Sequence, residues 1–406
     1  MSIIKISLRL AFVWLFATVP FGASAAASPV NVKLKIPPPL EISGWIPWWR
    51  TATGTLDAIA HIDAFSELSP FGFTVKNDGT LSDQMHIDSA PWQLLMKIAR
   101  EKNVKIIPTV TWSDGNMIDA ILRSPKRRKA HIGEIVNVMN QYGFDGIDID
   151  YEAKKAGTKN YFSQFLKELY TATGDKLVVC TIEARTPLDS RFSKIPKDIQ
   201  YANDFAAINK YCDRVRIMAY DQGSIDLKLN DAAPWAYLPV ADPKWVEKTV
   251  MLAAKTISKK KISIGVATYG YESEVTPLTE GYAYDILWSF GPNYALNLAK
   301  ELGITPWRNI AGEMNFMYIP TTTAPALPQT ENASQSNNVA LATTSVEIST
   351  AAATTTMKNT PFRMMWWSDA SAIRDKVLLA KKLGVRGIAI FKIDGGEDPA
   401  IWDAIK

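Results

Sequence analysis

Eight short apolar runs recur between residues 41 and 393, and helical patterns separate them. They lie near Ile42–Trp48, Ala64–Thr74, Val104–Thr111, Gly143–Tyr151, Lys176–Ala184, Arg214–Tyr220, Ile262–Gly270 and Arg386–Ile393. Such alternation predicts parallel strands joined by helices, because a parallel pairing needs a crossover that carries the chain back along the sheet. Trp92, Leu95, Met96 and Ala99 share one face of a helix that Ser89 can cap. Phe162, Phe165, Leu166 and Leu169 form a second such face, closed by Gly174. Asp369 is placed to cap a third helix, carrying Ile373, Val377 and Ala380 and stopped at Gly384. The fold expected is α/β, a closed (β/α)8 TIM barrel. An open doubly wound sheet is the alternative, but no glycine-rich phosphate loop follows the first run.

The rhythm breaks once. The interval between the seventh and eighth runs is far longer than a helix and two loops need. Residues 41–270 are therefore assigned to barrel strands one to seven, and 271–320 to a small α+β insertion. Residues 321–360, rich in Thr, Ala, Ser and Asn and free of aromatics, read as a mobile surface loop. Within them Asn332-Ala333-Ser334 fits a glycosylation acceptor pattern. Residues 361–406 are assigned to the last helix and the eighth strand.

Ahead of the barrel, Lys5 and Arg9 precede an apolar stretch, Leu10 to Gly22, followed by Ala23-Ser24-Ala25. That order matches a secretory signal peptide over residues 1–27, and the apolar run is too short for a membrane span. An uncleaved anchor is the other reading. Residues 28–40, ending in Pro37-Pro38-Pro39 and Leu40, form a short tether. The protein is expected to be secreted, or held in the periplasm or cell envelope, without a stable span after cleavage. Loss of Lys5 and Arg9 lowers the formal net charge from +4 to +2, which leaves no electrostatic footprint for nucleic acid. Cys180 and Cys212 each adjoin an apolar run and read as buried free thiols. His61, His86 and His131 are scattered and read as structural. No cluster calls for a metal, no cofactor is expected, and a monomer is.

The chemistry is concentrated in the fourth run. Residues 144–152 read FDGIDIDYE, so Asp148, Asp150 and Glu152 stand at a spacing of two and share one face of a strand. Three carboxylates on one buried face are costly unless protons are shared or chemistry uses them. In a barrel, inward residues near a strand's C-terminal end line the active-site face, so Glu152 is nearest to substrate, with Asp150 and then Asp148 beneath. A glutamic acid held protonated by its neighbours can donate to a leaving oxygen, which makes glycoside hydrolysis the leading reaction class.

This run is similar to the DGxDxDxE signature of glycoside hydrolase family 18, which includes chitinases and related N-acetylglucosaminidases. Met218-Ala219-Tyr220-Asp221, at the end of the sixth run, resembles the family's MxYD. The resemblance covers roughly residues 41 to 406. It implies a retaining, substrate-assisted cleavage of polysaccharides or oligosaccharides containing N-acetylglucosamine. Glu152 would be acid and then base, Asp150 would orient the acetamido nitrogen, and Asp148 would support Asp150. Tyr220 would hold the acetamido carbonyl, while Asp221 and Met218 would line the sugar site. The family usually carries a tryptophan under the reacting sugar, where GIAIFKIDGGEDP places Phe391. Trp48, Trp112 and Trp235, at or after strand C-terminal ends, are candidate sugar platforms, with Trp45 and Trp49 near the first strand. Trp366 and Trp367 either pack the insertion or face the cleft. MMWWSDASAIRDK and GIAIFKIDGGEDPAIW also resemble the spore-cortex and germination branch of the family, which brings peptidoglycan beside chitin as substrate.

Two rivals stand beside this reading. Glu183 or Glu272 could serve as a conventional nucleophile paired with Glu152. Alternatively, the chain could be a non-catalytic protein that binds chitooligosaccharides or cell wall on the same barrel.

Overall fold

A computed structural model describes residues 40–320 and 360–406. The signal and tether segments through residue 39, and the low-complexity residues 321–359 with Asn332, lie outside the described residues. Eight parallel strands close into a barrel: Glu41–Pro47, Glu67–Val75, Thr109–Trp112, Gly146–Tyr151, Leu177–Glu183, Arg214–Met218, Ile262–Ala267 and Gly387–Phe391. Closure is complete because the first strand pairs with both the eighth and the second. No strand edge is left between them, so the interior is sealed from the sides.

Register decides what fills that interior. Thr109 pairs with Asp148 and Thr111 with Asp150, Thr181 pairs with Arg216, and Phe391 pairs with Ala267. These positions, with Trp45, Glu67 and Ser69, form an inward set that is largely polar. Their alternates, such as Ile147, Ile149, Val215 and Ile217, point outward and are buried under the helices. The helix Ala90–Glu101 buries Trp92, Leu95, Met96 and Ala99 on one side, although the Ser89 side chain makes no capping hydrogen bond. Asp369 caps the helix Ala370–Leu383 by accepting from the Ala372 amide, and Gly384 ends it in the left-handed region at φ +65°.

The excursion after the seventh strand is a five-stranded antiparallel sheet. Its order is Tyr282–Phe290, Gly270–Pro277, Phe362–Trp367, Met314–Tyr318 and Trp307–Arg308. Phe362–Trp367, grouped from the sequence with the last barrel unit, is the middle strand of this sheet. Hydrogen-bond pairing to strands far back in the chain overrides its closeness in sequence to the last helix. Both tryptophans are packed away from solvent. Trp367 meets Phe290 and Phe316 under the helix Pro292–Glu301, and Trp366 turns toward the main core. Gly270 permits the junction, since a Cβ there would lie 2.3 Å from the Trp366 carbonyl oxygen.

Fully buried Glu313 fastens this sheet to its surroundings. It accepts from the Val240 and Ala241 amides at 2.9 Å each and from Trp366 Nε1 at 2.6 Å, and lies 3.5 Å from Lys376 Nζ. The insertion, the loop after the sixth strand and the last barrel helix are thereby tied together.

Cys180 and Cys212 form a disulfide, which corrects the reading of two free thiols. Cys180 faces outward on the fifth strand, and pairing to the sixth brings Cys212 to a Cα separation of 5.9 Å. The separation of 32 residues hides that neighbourhood in the sequence.

Candidate active site

At the bottom of the acid row, Asp148 is fully buried and surrounded by donors from four other strands. Trp45 Nε1, Thr109 Oγ1 and Thr181 Oγ1 donate at 2.9, 2.8 and 2.8 Å. Arg216 Nη1 donates at 3.1 Å, and the same guanidinium reaches Ser69 at 2.7 Å and Glu67 at 2.8 Å. This answers the electrostatic problem posed by the sequence, because a buried carboxylate needs an opposite charge and filled lone pairs. The arginine was missed as a site residue. Its signal was present in RVRIMAY, where Arg214, Arg216, Met218 and Tyr220 share one strand face.

One inward step up, Asp150 is 3% exposed and its Oδ1 has no hydrogen-bond partner among the described residues. Burial, and then the charges of Glu152 and Asp148, hold its pKa well above the usual carboxylate range. Glu152 sits at the mouth, its backbone amide donating to the Trp112 carbonyl at 2.8 Å. Its pKa is raised by burial and by the charges of Glu183 and Asp221, while Lys154 opposes the rise. The row is therefore graded: an anion fixed by donors below, an acid with a free acceptor oxygen in the middle, and a partly open acid at the top.

Aromatic residues enclose the other side. Phe391 stacks on Tyr220 at 5.7 Å with rings 11° apart. Trp45, Phe71 and Tyr269 meet Phe391 edge-on at 5.8, 5.9 and 6.2 Å. Gly265 on the seventh strand leaves room for this stack, since a Cβ there would lie 2.8 Å from the Tyr220 ring. Burial raises the Tyr220 hydroxyl pKa well above 10, so it remains a donor. Asp221 has φ +56° and accepts 2.8 Å hydrogen bonds from the hydroxyls of Tyr269 and Tyr271. These two tyrosines were not foreseen, though they alternate on TYGYE at the end of the seventh run. Met218 is half-buried and inward-facing beside Glu183.

The tryptophans divide. Trp48 is 40% exposed at the end of the first strand and Trp235 is 38% exposed in the loop after the sixth. Trp48, Trp49 and Phe71 touch in sequence at 5.7 and 6.0 Å, an aromatic path from the rim to Phe391. Trp112 does not belong with them, contrary to the sequence expectation. It pairs with Tyr151 on the outward face and packs edge-on against that ring at 5.4 Å, beneath the helices. Thr111 holds the inward position instead.

Neither rival carboxylate stands free. Glu183 Oε2 accepts from Asn203 Nδ2 at 2.7 Å and lies 3.6 Å from Lys154 Nζ. Glu272 is buried in the insertion, accepting from Trp288 Nε1 at 2.7 Å and the Tyr318 hydroxyl at 2.6 Å. His131 is buried between the Gly79 carbonyl and the Tyr151 hydroxyl, with burial pushing its pKa down to about 4.

Comparison with known proteins places the chain in a family and shows which solved structures share its fold. The profile described as glycosyl hydrolases family 18 matches residues 46–396. The cortical fragment-lytic enzyme of Bacillus subtilis is 23% identical over 344 residues, covering 82% of this chain and 66% of that relative. The spore cortex-lytic enzyme SleL of Bacillus megaterium superimposes with a TM-score of 0.66 at 20% identity, covering 91% of this chain and 74% of the other. A chitinase from Chromobacterium violaceum gives 0.64 at 18% identity, covering 90% and 98%.

Proposed function

Since the chain belongs to glycosyl hydrolase family 18 and is a glycosidase, we propose that it is an exported enzyme cleaving β-1,4-linked, N-acetylglucosamine-containing glycans with assistance from the substrate's own acetamido group. The observation that carries this reading is Asp150 Oδ1, a buried acceptor without a partner, between Asp148 below and Glu152 above. An acetamido N–H is the donor such an oxygen lacks.

Glu152, its pKa raised by burial, donates its proton to the glycosidic oxygen. The acetamido oxygen attacks the anomeric carbon from the opposite side as that bond breaks, giving an oxazolinium. Asp150 accepts from the acetamido nitrogen and orients it, and the Tyr220 hydroxyl donates to the acetamido carbonyl. Asp148, held by Trp45, Thr109, Thr181 and Arg216, supplies the fixed negative charge beneath. Glu152, now a carboxylate, takes a proton from water as that water opens the ring, so configuration is retained. Phe391 on Tyr220 forms the apolar floor, with Asp221 and Met218 beside the sugar and Trp48 and Trp235 as outer platforms.

Chitin, chitooligosaccharides and the glycan strands of peptidoglycan all carry the required group. The tail motifs favour peptidoglycan. Export is supported by the leader pattern through Ala25 and by the buried disulfide, a bond that persists in oxidising compartments.

The test is to incubate the mature protein separately with chitin, chitooligosaccharides and purified peptidoglycan. Products are read by mass spectrometry, and the first-formed anomer by NMR. Release of the β anomer by the wild type, with Glu152→Gln inactive, supports the reading. Inversion, or a stable glycosyl ester on Glu183, overturns substrate assistance.

A further inference from the structure

Lys154 lies two residues past Glu152, yet its side chain is only 1% exposed and its Nζ has no hydrogen-bond partner among the described residues. The ammonium is 3.6 Å from Glu183 Oε2 and 4.9 Å from the centre of the Phe162 ring, and the charges of Asp150 and Glu152 also act on it. The turn that delivers it is tightly set. Ala153 has φ +51°, and a Cβ at Gly115 would come within 2.2 Å of the Ala153 carbonyl oxygen.

A second group reaches the same carboxylate oxygen of Glu183. Asn203 Nδ2 holds Oε2, and the Asn203 carbonyl accepts from Arg185 Nη2 at 2.9 Å. The Arg185 guanidinium is itself held 3.6 Å from the Tyr201 ring centre and 4.0 Å from that of Phe205. An ion pair at this distance without a hydrogen bond contributes little to stability once its desolvation is counted. Its placement beside the acid row has a clearer consequence. The titratable groups around Glu152 are Lys154 from its own loop, Glu183 from the fifth strand, Asp221 and Tyr220 after the sixth strand and Asp150 below. Of these, Lys154 alone can carry a positive charge.

We propose that Lys154 and Glu183 are opposed positioning residues for Glu152, the ammonium favouring release of its proton and the carboxylate favouring retention, so that together they set the pH range of turnover. This rests on the assignment of Glu152 as acid and base. A group that must first donate and then accept works over the widest range when neither form is strongly favoured. A mouth lined only with acids would hold the proton too tightly for the second step.

The experiment is the pH profile of kcat for the full mature chain on chitohexaose and on peptidoglycan glycan strands, whichever the wild type cleaves. The alkaline limb reports loss of the acid's proton in the enzyme–substrate complex. Lys154→Met is expected to move that limb up by about half a pH unit or more, and Glu183→Gln to move it down by a similar amount. The double variant should return to within about 0.3 unit of wild type. A partly unfolded preparation lowers the height of the profile and leaves the limb where it is. Shifts in the same direction, or none, while Glu152→Gln is inactive, overturn this inference and leave Glu152 in its role. Wild-type turnover by Glu152→Gln removes the role of Glu152 and this inference with it.

Discussion

Arg216 Nη1 stands 3.1 Å from Asp148 Oδ2 at the centre of the barrel, and neither side chain has exposed surface. The same guanidinium meets Glu67 Oε1 at 2.8 Å, so one cation touches two acids on different strands. Replacing it with methionine leaves Asp148 buried without a counter-charge, while Glu67 keeps Arg214 Nε at 3.0 Å. Arg216→Met is expected to cost about 3–5 kcal/mol, read from the denaturant midpoint at constant slope. A cost under about 1 kcal/mol would mean that the acids find protons or water instead.

Glu397 gives the protein a distinct pH dependence. It is 5% exposed, its Oε1 and the Asp57 Oδ2 both lack partners among the described residues, and burial followed by Asp57 raises its pKa to about 9. One proton between the two carboxyls satisfies both oxygens. Because the folded protein binds that proton more tightly than the unfolded chain, the stability it provides is complete below the ordinary glutamate value of 4.5 and is lost as pH rises through about 9. Glu397→Gln keeps a donor toward Asp57 at every pH. Its unfolding free energy should therefore fall less than wild type between about pH 6 and 9, and parallel curves would refute the shared proton.

Trp48 and Trp112 should respond in opposite ways to alanine. Trp48 is open at the mouth, so its loss should raise KM roughly two- to tenfold, the equivalent of about 0.5–1.5 kcal/mol of stacking, with little change in melting temperature. Trp112 packs against Tyr151 and His131 under the helices, so its loss should cost about 3–5 kcal/mol of stability. An unchanged KM in Trp48→Ala would remove it from the sugar path.

The disulfide should matter to stability and leave the chemistry alone. Its loop of 32 residues corresponds to about 3–4 kcal/mol of chain entropy removed from the unfolded state. Cys180→Ala/Cys212→Ala should unfold at correspondingly lower denaturant and keep its kcat. Both sulfurs are inaccessible, so reductant alone should leave the native wild type oxidised.

Features set by local periodicity were legible in advance. Alternation placed Asp148, Asp150 and Glu152 on one face, and helical spacing identified the buried sides of the helices that carry Trp92 and Phe165. One error arose where position along a strand was read without its parity. Trp112 lies near a strand end, as an active-site residue should, but one residue out of phase with Thr111. A shift of one residue reverses the face.

The sequence alone determined the barrel, its interruption after the seventh strand and the ordered row of acids, because each follows from spacing among near neighbours. Only the tertiary structure decided what makes that row tolerable: Arg216 across from Asp148, Lys154 folded back beside Glu183, and Phe391 stacked on Tyr220. Two of these partnerships join separate walls of the barrel, and the third depends on the turn at Ala153 folding back toward the fifth strand. The balance of charge inside a closed barrel is a sum over all its walls, and no single stretch of chain contains that sum.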